Sequence, residues 1–343
     1  MVVTSRQESA FIASRPIRFS MAGTMGFASF REIVEVAQAA EELDFSAFYT
    51  SDHLFGVAGA RPETPLLEPW TIAAGLAAVT RRLRLGCFVA GVTYRHPAML
   101  AKITGAIDVI SDGRLELGIG AAWSREDHVA YGLPFPPLKE RQERLEEAVE
   151  IIRGLWTHDR FTFRGKHYQV EDAPFEPKPV QKPHPPFLIA AVGDRGLKLT
   201  ARLAQIWASV STPAFASRCI QRLVELCRAA GRDPGELEFS QYTGLLLSDD
   251  AGEVRGKVQS RVRQLEAASR RPVMAQTRNA VEGETFEDQV RASLLAGNPE
   301  EIRGAIQRYV DVGVTHIVIM TPRPFDRRLM ERFRREVMAP FID

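Results

Sequence analysis

The chain has 343 residues, 45% hydrophobic and 25% charged, with a formal net charge of +1. It is long enough for one large domain or two small ones, and its charge is too balanced for a protein that binds nucleic acid by neutralising phosphates. Its three cysteines, Cys87, Cys219 and Cys227, have no metal-ligand spacing and fit a reducing cytoplasm, and no stretch approaches the ~20 apolar residues of a membrane span.

Residues 1–15 read as a loose polar tail without the apolar run of a signal peptide. Beyond them, strand-like and helix-like segments alternate. Residues 17–22 form a strand. Residues 30–43 follow a helical period, with Ile33, Val34, Ala37 and Ala40 on one face. A strand at 46–50 precedes a helix at 69–79 opened by Pro69. A strand at 83–92, a helix at 97–110 and the turn Ser111-Asp112-Gly113 lead to a strand at 114–120. A loop to about Pro137 precedes a long helix at 140–156. The rhythm breaks at about 160–185, where Phe-Thr-Phe, Gly165-Lys-His-Tyr and several prolines predict an inserted hairpin and extended loop. It resumes with strands at 187–192, 206–210 and 237–247 and helices at 194–203, 214–230 and 252–269. The segment at about 270–297 reads as mobile surface. Asn298-Pro299-Glu300-Glu301 is a capped helix start; that helix runs to about Asp311, and a strand at 315–320 and a helix to about Met338 complete the chain.

Eight strands, nearly all followed by a helix, predict an α/β fold. The expected architecture is a (β/α)₈ TIM barrel with an insertion after the fourth β-α unit, in one domain spanning 16–343. A doubly wound sheet is the runner-up, weakened because no GxGxxG follows the first strand.

In a barrel the chemistry sits where strands end. His53, after the second strand, is the only histidine expected at such an end, and an imidazole with an ordinary pKa near ~6.5 suits proton transfer; the plainer role for Asp52-His53 is to tie a loop to its neighbour. Gly91, Val92 and Thr93 follow the third strand. In Leu115–Trp123, Gly118 and Gly120 lack a Cβ, so a flat ring has room against the backbone; Trp123 is either a wall of that pocket or core. Gly193-Asp194-Arg195 lies between a strand and a helix, where backbone N–H groups bind phosphate or make an ordinary turn capped by Asp194. Arg141 is placed to face the mouth and meet an anion, or to be solvated. The other histidines are scattered, so no metal is expected. There is no Gly-x-Ser-x-Gly elbow and no P-loop.

Several segments in order, "AEELDFSAFYTSDH", "LAAVTRRLRLGCFVAGVTYRHPAMLAKITGAIDVISDGRLELGIGAAW", "YGLPFPPLKERQERLEEAVEIIRGLW", "FRGKHYQVEDA", "PKPVQKPHPPFLIAAVG" and "AGNPEEIRGAIQRYVDVGVTHIVI", resemble the bacterial luciferase-like superfamily. Gly-Val-Thr-Tyr-Arg-His-Pro and Gly-Ile-Gly-Ala-Ala-Trp are most similar to its coenzyme F420-dependent branch. The resemblance implies a redox cofactor across the strand ends. His53 matches the histidine beside its ring, and Gly91-Val92 a strand end that often carries a cis non-proline peptide. Gly120, Ala121, Ala122 and Trp123 match the next wall, and Ala190, Ala191, Val192, Gly193 and Asp194 the phosphate loop. Asp52, Thr93 and Arg141 complete the implied cofactor bed. Three departures stand out: Ala190-Ala191-Val192-Gly193 replaces a glycine-rich loop, Ala204-Gln205 replaces Ala-Asp, and Leu138 and Gln142 stand where FMN-using relatives carry His and Tyr.

The function so implied is F420-dependent hydride transfer to or from a small organic substrate, with His53 as proton donor or acceptor. The alternatives are an FMN-dependent monooxygenase using O₂ and a separate flavin reductase, and a barrel that binds a flavin-type ligand without turnover. A cytoplasmic homodimer is expected, with no nucleic-acid or membrane partner.

Overall fold

The computed structural model describes residues 16–56, 60–269 and 281–342. The expected tail at 1–15 and the 270–280 part of the expected mobile segment lie outside the described residues.

Eight parallel strands close into a barrel: β1 (Arg18–Ala22), β2 (Ala47–Thr50), β3 (Arg84–Cys87), β4 (Leu115–Gly120), β5 (Phe187–Ala190), β6 (Ile206–Ser209), β7 (Glu238–Leu247) and β8 (His316–Met320). Each pairs with the next in sequence, and β8 returns to β1 through Arg18↔His316 to Ala22↔Met320. This is a TIM barrel. Its strands are buried on both faces, so they read as nearly continuous apolar runs rather than alternating ones. Ala22, Tyr49, Leu188, Ala208 and Val318 fill the interior together with Phe88, Val89, Ala190 and Tyr242. A larger apolar shell, including Trp70, Trp156, Trp207 and Phe333, packs between the strands and the helices.

The N-terminal end of the barrel is closed by charge. The buried Glu116 carboxylate accepts hydrogen bonds from Arg18 at 3.1 Å, from Arg84 at 2.5 Å and from the Tyr49 hydroxyl. Burial alone would raise the Glu116 pKa, but the two guanidinium groups outweigh it and hold it at about 2. His316 adds Nε2 to Ser20 Oγ at 2.7 Å and Nδ1 beside Glu238 at 2.6 Å.

Three expectations need correction. The strand expected at 83–92 stops at Cys87 and resumes as Ala90–Gly91, with a cis peptide between Phe88 and Val89. Between the pairs Gly86↔Glu116 and Ala90↔Ile119, Cys87-Phe88-Val89 faces only Leu117-Gly118, which is a bulge. The loop after β4 contains a helix, Arg125–Ala130, too short to show an apolar period. The segment expected to be mobile includes a helix, Phe286–Ala292, and a strand, Leu294–Gly297, which extends the outer half of β7 from Gly244↔Leu294 to Leu247↔Gly297. A capping box between Thr285 and Asp288 marks that helix start.

The helix Leu138–Thr157 is followed by an antiparallel hairpin, Arg160–Arg164 with Gln169–Pro174. Glu147 anchors its turn by accepting the N–H groups of Lys166, His167 and Tyr168 at 2.8, 3.0 and 3.0 Å.

Candidate active site

The loops after β2, β3 and β4 meet at the C-terminal end of the barrel. His53 Nδ1 lies 2.8 Å from Asp127 Oδ2. Asp127 sits in the helix Arg125–Ala130, whose N-cap Ser124 accepts the Asp127 N–H at 3.3 Å. The Asp127 carboxylate is fully buried. It also accepts the Leu54 N–H at 2.9 Å and the Tyr94 hydroxyl at 3.1 Å. Burial pushes its pKa up, but hydrogen bonds from His53, Leu54 and Ser124 prevail and hold it below the ordinary aspartate value. An ionised carboxylate on Nδ1 fixes the proton there, which leaves Nε2 as the nitrogen that can exchange one. The His53 ring meets the edge of Trp123 at 5.1 Å and 73°. Trp123 is 41% exposed, so it is a wall of the mouth and not core.

Asp52 takes the other role foreseen for the pair. Its buried carboxylate accepts the Gly91 N–H at 2.9 Å and Arg95 Nη1 at 3.0 Å, and Arg95 reaches on to Glu68 at 2.7 Å. Asp52 therefore ties the end of β2 to the turn after β3. Thr93 is likewise turned inward: its hydroxyl pairs with His128 Nε2 at 2.6 Å, while His128 Nδ1 donates to the Ser124 carbonyl at 2.6 Å. Burial pushes the His128 pKa down, consistent with a neutral ring stacked on Tyr94 at 4.6 Å.

Gly118 and Gly120 do not leave open space for a ring. A Cβ on Gly118 would lie 1.9 Å from the Cys87 carbonyl oxygen, and one on Gly120 would meet Val89 Cγ2 at 3.1 Å. These glycines seat the Phe88–Val89 bulge, and the bulge is what reaches the mouth. Gly91 accommodates the Tyr94 ring in the same way, at 2.6 Å. Val92 is buried; its N–H donates to the Gly120 carbonyl at 3.0 Å.

Arg141 is buried, and Nε and Nη1 of its guanidinium donate to backbone. It donates to the carbonyls of Pro136 and Ala121, each at 3.0 Å, and of Ala122, and it covers the Phe135 ring at 4.2 Å. Ala122 has φ +60°, a conformation that costs a Cβ-bearing residue about 1–2 kcal/mol and needs such external support. These bonds make Arg141 a brace for the Ala121-Ala122-Trp123 wall.

After β5, the Ala191 carbonyl accepts from Trp207 Nε1 at 2.7 Å. Gly193 is the N-cap of the helix Asp194–Leu203 and brings no side-chain cap; nothing lies within 4 Å of where its Cβ would stand. Asp194 does not cap the helix. Its carboxylate faces Lys198 at 2.7 Å and Arg222 at 3.1 Å.

Asp127, Tyr94, Arg95 and His128 are the members of this constellation that sequence reasoning missed. The one local signal was Ser124 three residues before Asp127, a helix-start pattern. Among the described residues, no group of three or more His, Cys, Asp or Glu side chains is arranged to hold a metal.

A TIM barrel with a carboxylate-held histidine at its mouth is the frame of a barrel enzyme. The luciferase-like monooxygenase family profile matches residues 10–316, and the chain belongs to that family. It is 30% identical over 335 residues to an F420-dependent glucose-6-phosphate dehydrogenase of Intrasporangium calvum, covering 90% of this chain and 94% of that one. Among solved structures it resembles monooxygenase RslO1 of Streptomyces bottropensis (TM-score 0.78, 24% identity, 95% and 100% coverage). It also resembles the coenzyme F420-dependent tetrahydromethanopterin reductase of Methanopyrus kandleri (TM-score 0.77, 20% identity, 95% and 100% coverage).

The residues present fit a ring-and-phosphate cofactor. The helix start at Gly193 offers backbone N–H groups that no side chain caps, beside open space. Trp123 provides apolar surface beside His53, and Phe88 and Val89 provide it in the barrel interior.

Proposed function

We propose that the protein is an F420-dependent oxidoreductase in which His53 Nε2 gives or takes the proton that accompanies hydride transfer with a small organic substrate. The carrying observation is the His53–Asp127 pair beside Trp123 at the barrel mouth; relatives named as F420-dependent dehydrogenases supply the cofactor. When bound, the deazaflavin supplies a two-electron hydride carrier. In this reading the amide groups at Gly193–Gly196 hold its phosphate. The Val89 bulge supports its ring, and the Ala121–Trp123 wall excludes water. Asp127 keeps the imidazole in one tautomer.

The same reading makes the protein one catalytic domain of a cytoplasmic homodimer. Its three cysteines are free and buried, and no described helix is long and apolar enough to cross a membrane. The outward face of the helix Pro97–Ile110 carries Met99 at 58% exposure and Ile110 at 51%, next to the helix Pro69–Val79 with exposed Val79. A second copy would cover this apolar face.

The experiment is a titration of the purified protein with F420 and with FMN, followed by fluorescence, for wild type and His53→Gln. F420 binding in both, with turnover reduced by about 10²-fold or more in the variant, is expected. Tight FMN binding without F420 binding, together with O₂ consumption when a flavin reductase is supplied, would replace this reading with the monooxygenase one.

A further inference from the structure

Two donors share one carboxylate oxygen at the candidate site. Asp127 Oδ2 lies 2.8 Å from His53 Nδ1 and accepts the Tyr94 hydroxyl at 3.1 Å. The donors come from different loops, His53 from the one after β2 and Tyr94 from the turn after β3. The phenol stays protonated in this pair: burial first, and then the charges of Asp127 and Asp52, push its pKa far above the ordinary tyrosine value. The Asp127 carboxylate is fully buried, so solvent screens these interactions little.

The Tyr94 ring is held independently of its hydroxyl. A Cβ on Gly91 would lie 2.6 Å from Tyr94 Cε2, so the ring packs on the bare backbone of Gly91. It also stacks on His128 at 4.6 Å and 21°. His128 is clamped in turn by the Thr93 hydroxyl and the Ser124 carbonyl, each at 2.6 Å. Removal of the phenol oxygen alone therefore leaves the ring seated.

Asp127 faces His53 from the helix Arg125–Ala130, and Asp52 precedes it with its carboxylate balanced by Arg95 at 3.0 Å. Tyr94 has Arg95 beside it in the chain and His128 against its ring, with the Arg141 charge felt at His128. Of these groups, Asp127 is the one hydrogen-bonded to both His53 and Tyr94. A carboxylate oxygen that accepts two hydrogen bonds divides its charge between them. The phenol, by taking a share, makes Asp127 a weaker partner for an imidazolium at His53. A histidine that must both give and recover a proton near neutral pH gains from that restraint.

We propose that Tyr94 is a positioning residue that sets the proton affinity of His53 through Asp127, holding it below what the His53–Asp127 pair alone would give. That the tuned imidazole serves proton transfer rests on the proposed function; the coupling of the three side chains does not.

The test is a pH titration of the histidine ring C–H signals by NMR in the full chain without cofactor, for wild type, Y94F, D127N and the Y94F/D127N double variant. The His53 signal is the one absent from H53Q. Y94F is expected to raise the His53 midpoint by about 0.5–1 pH unit, the size of one hydrogen bond to a charged group shared out over two protonation states. In the D127N background the same substitution is expected to move the midpoint by less than about 0.2, because the shared oxygen is gone. A tyrosine that only propped the loop would move neither midpoint. The proposal is overturned if the midpoint in Y94F is unchanged or lower, or if the full shift persists in the D127N background. Y94F against wild type decides the coupling even where the double variant does not fold. The titration uses no cofactor, so its result stands apart from whether substitution of His53 lowers F420-dependent turnover.

Discussion

His53 and Asp127 are separated by 74 positions in the chain, yet His53 Nδ1 and Asp127 Oδ2 stand 2.8 Å apart. Asp127 is fully buried and collects Leu54 N–H and Tyr94 OH as well. It thus fixes the loop after β2, the turn after β3 and the imidazole together. If His53 transfers the proton as proposed, Asp127 is its positioning residue.

Asp127→Asn is expected to lower kcat by about 10–10²-fold while leaving the F420 dissociation constant within about threefold of wild type, with partial recovery in Asp127→Glu. Steady-state kinetics and fluorescence titration read the two quantities separately. If cofactor affinity and kcat fell together and Glu gave no recovery, Asp127 would be a general prop for the fold.

The glycines divide into two kinds. Gly118→Ala places a methyl 1.9 Å from the Cys87 carbonyl and must displace backbone, so a stability loss of about 1–3 kcal/mol or more is expected. Gly193→Ala meets no atom within 4 Å and is expected to leave the urea midpoint nearly unchanged. Equal midpoints for the two variants would show that the bulge is not seated as described.

Acid should weaken the charged plug. An unfolded glutamate titrates near ~4.3, whereas Glu116 is held at about 2 in the folded barrel. Its stabilising contribution is therefore complete above ~4.3 and is lost as pH falls from there toward about 2. Glu116→Gln leaves Arg84 without its buried counter-charge and Arg18 with Glu238 alone, 2.7 Å away, and is expected to cost about 3–5 kcal/mol at neutral pH. Across the acid window the gap between the melting temperatures of wild type and Glu116→Gln should narrow. A constant gap from pH 6 to pH 3 would contradict the assignment.

Met99→Glu with Ile110→Glu puts charge into the exposed apolar face of the helix Pro97–Ile110. Sedimentation should show wild type as a dimer and the double variant as a folded monomer. A monomeric wild type, or a dimer that survives both substitutions, would remove this face as the interface.

Much of the barrel was legible because its signals are local. The eight strands, Pro at the helix starts of Pro69 and Pro97, and the Asn298–Glu301 capping box all lie in windows of a few residues. The family resemblance placed a cis peptide at Gly91–Val92, whereas the structure has it at Phe88–Val89, within a bulge that was not legible. The bulge exists because Gly118 and Gly120 on the neighbouring strand make room for it, and that room depends on register. The helix at Arg125–Ala130 escaped because six residues give no period.

The sequence by itself determined the order of strands and helices, the strand ends, and the presence of His53 at one of them, since periodicity and turn chemistry act between near neighbours. Tertiary structure decided which side chains are free. It gave Asp127 to His53 and used Asp52 and Arg141 to brace loops. Those outcomes depend on contacts between loops that only closure of the barrel brings together, and a buried polar group is satisfied by whichever partner closure delivers.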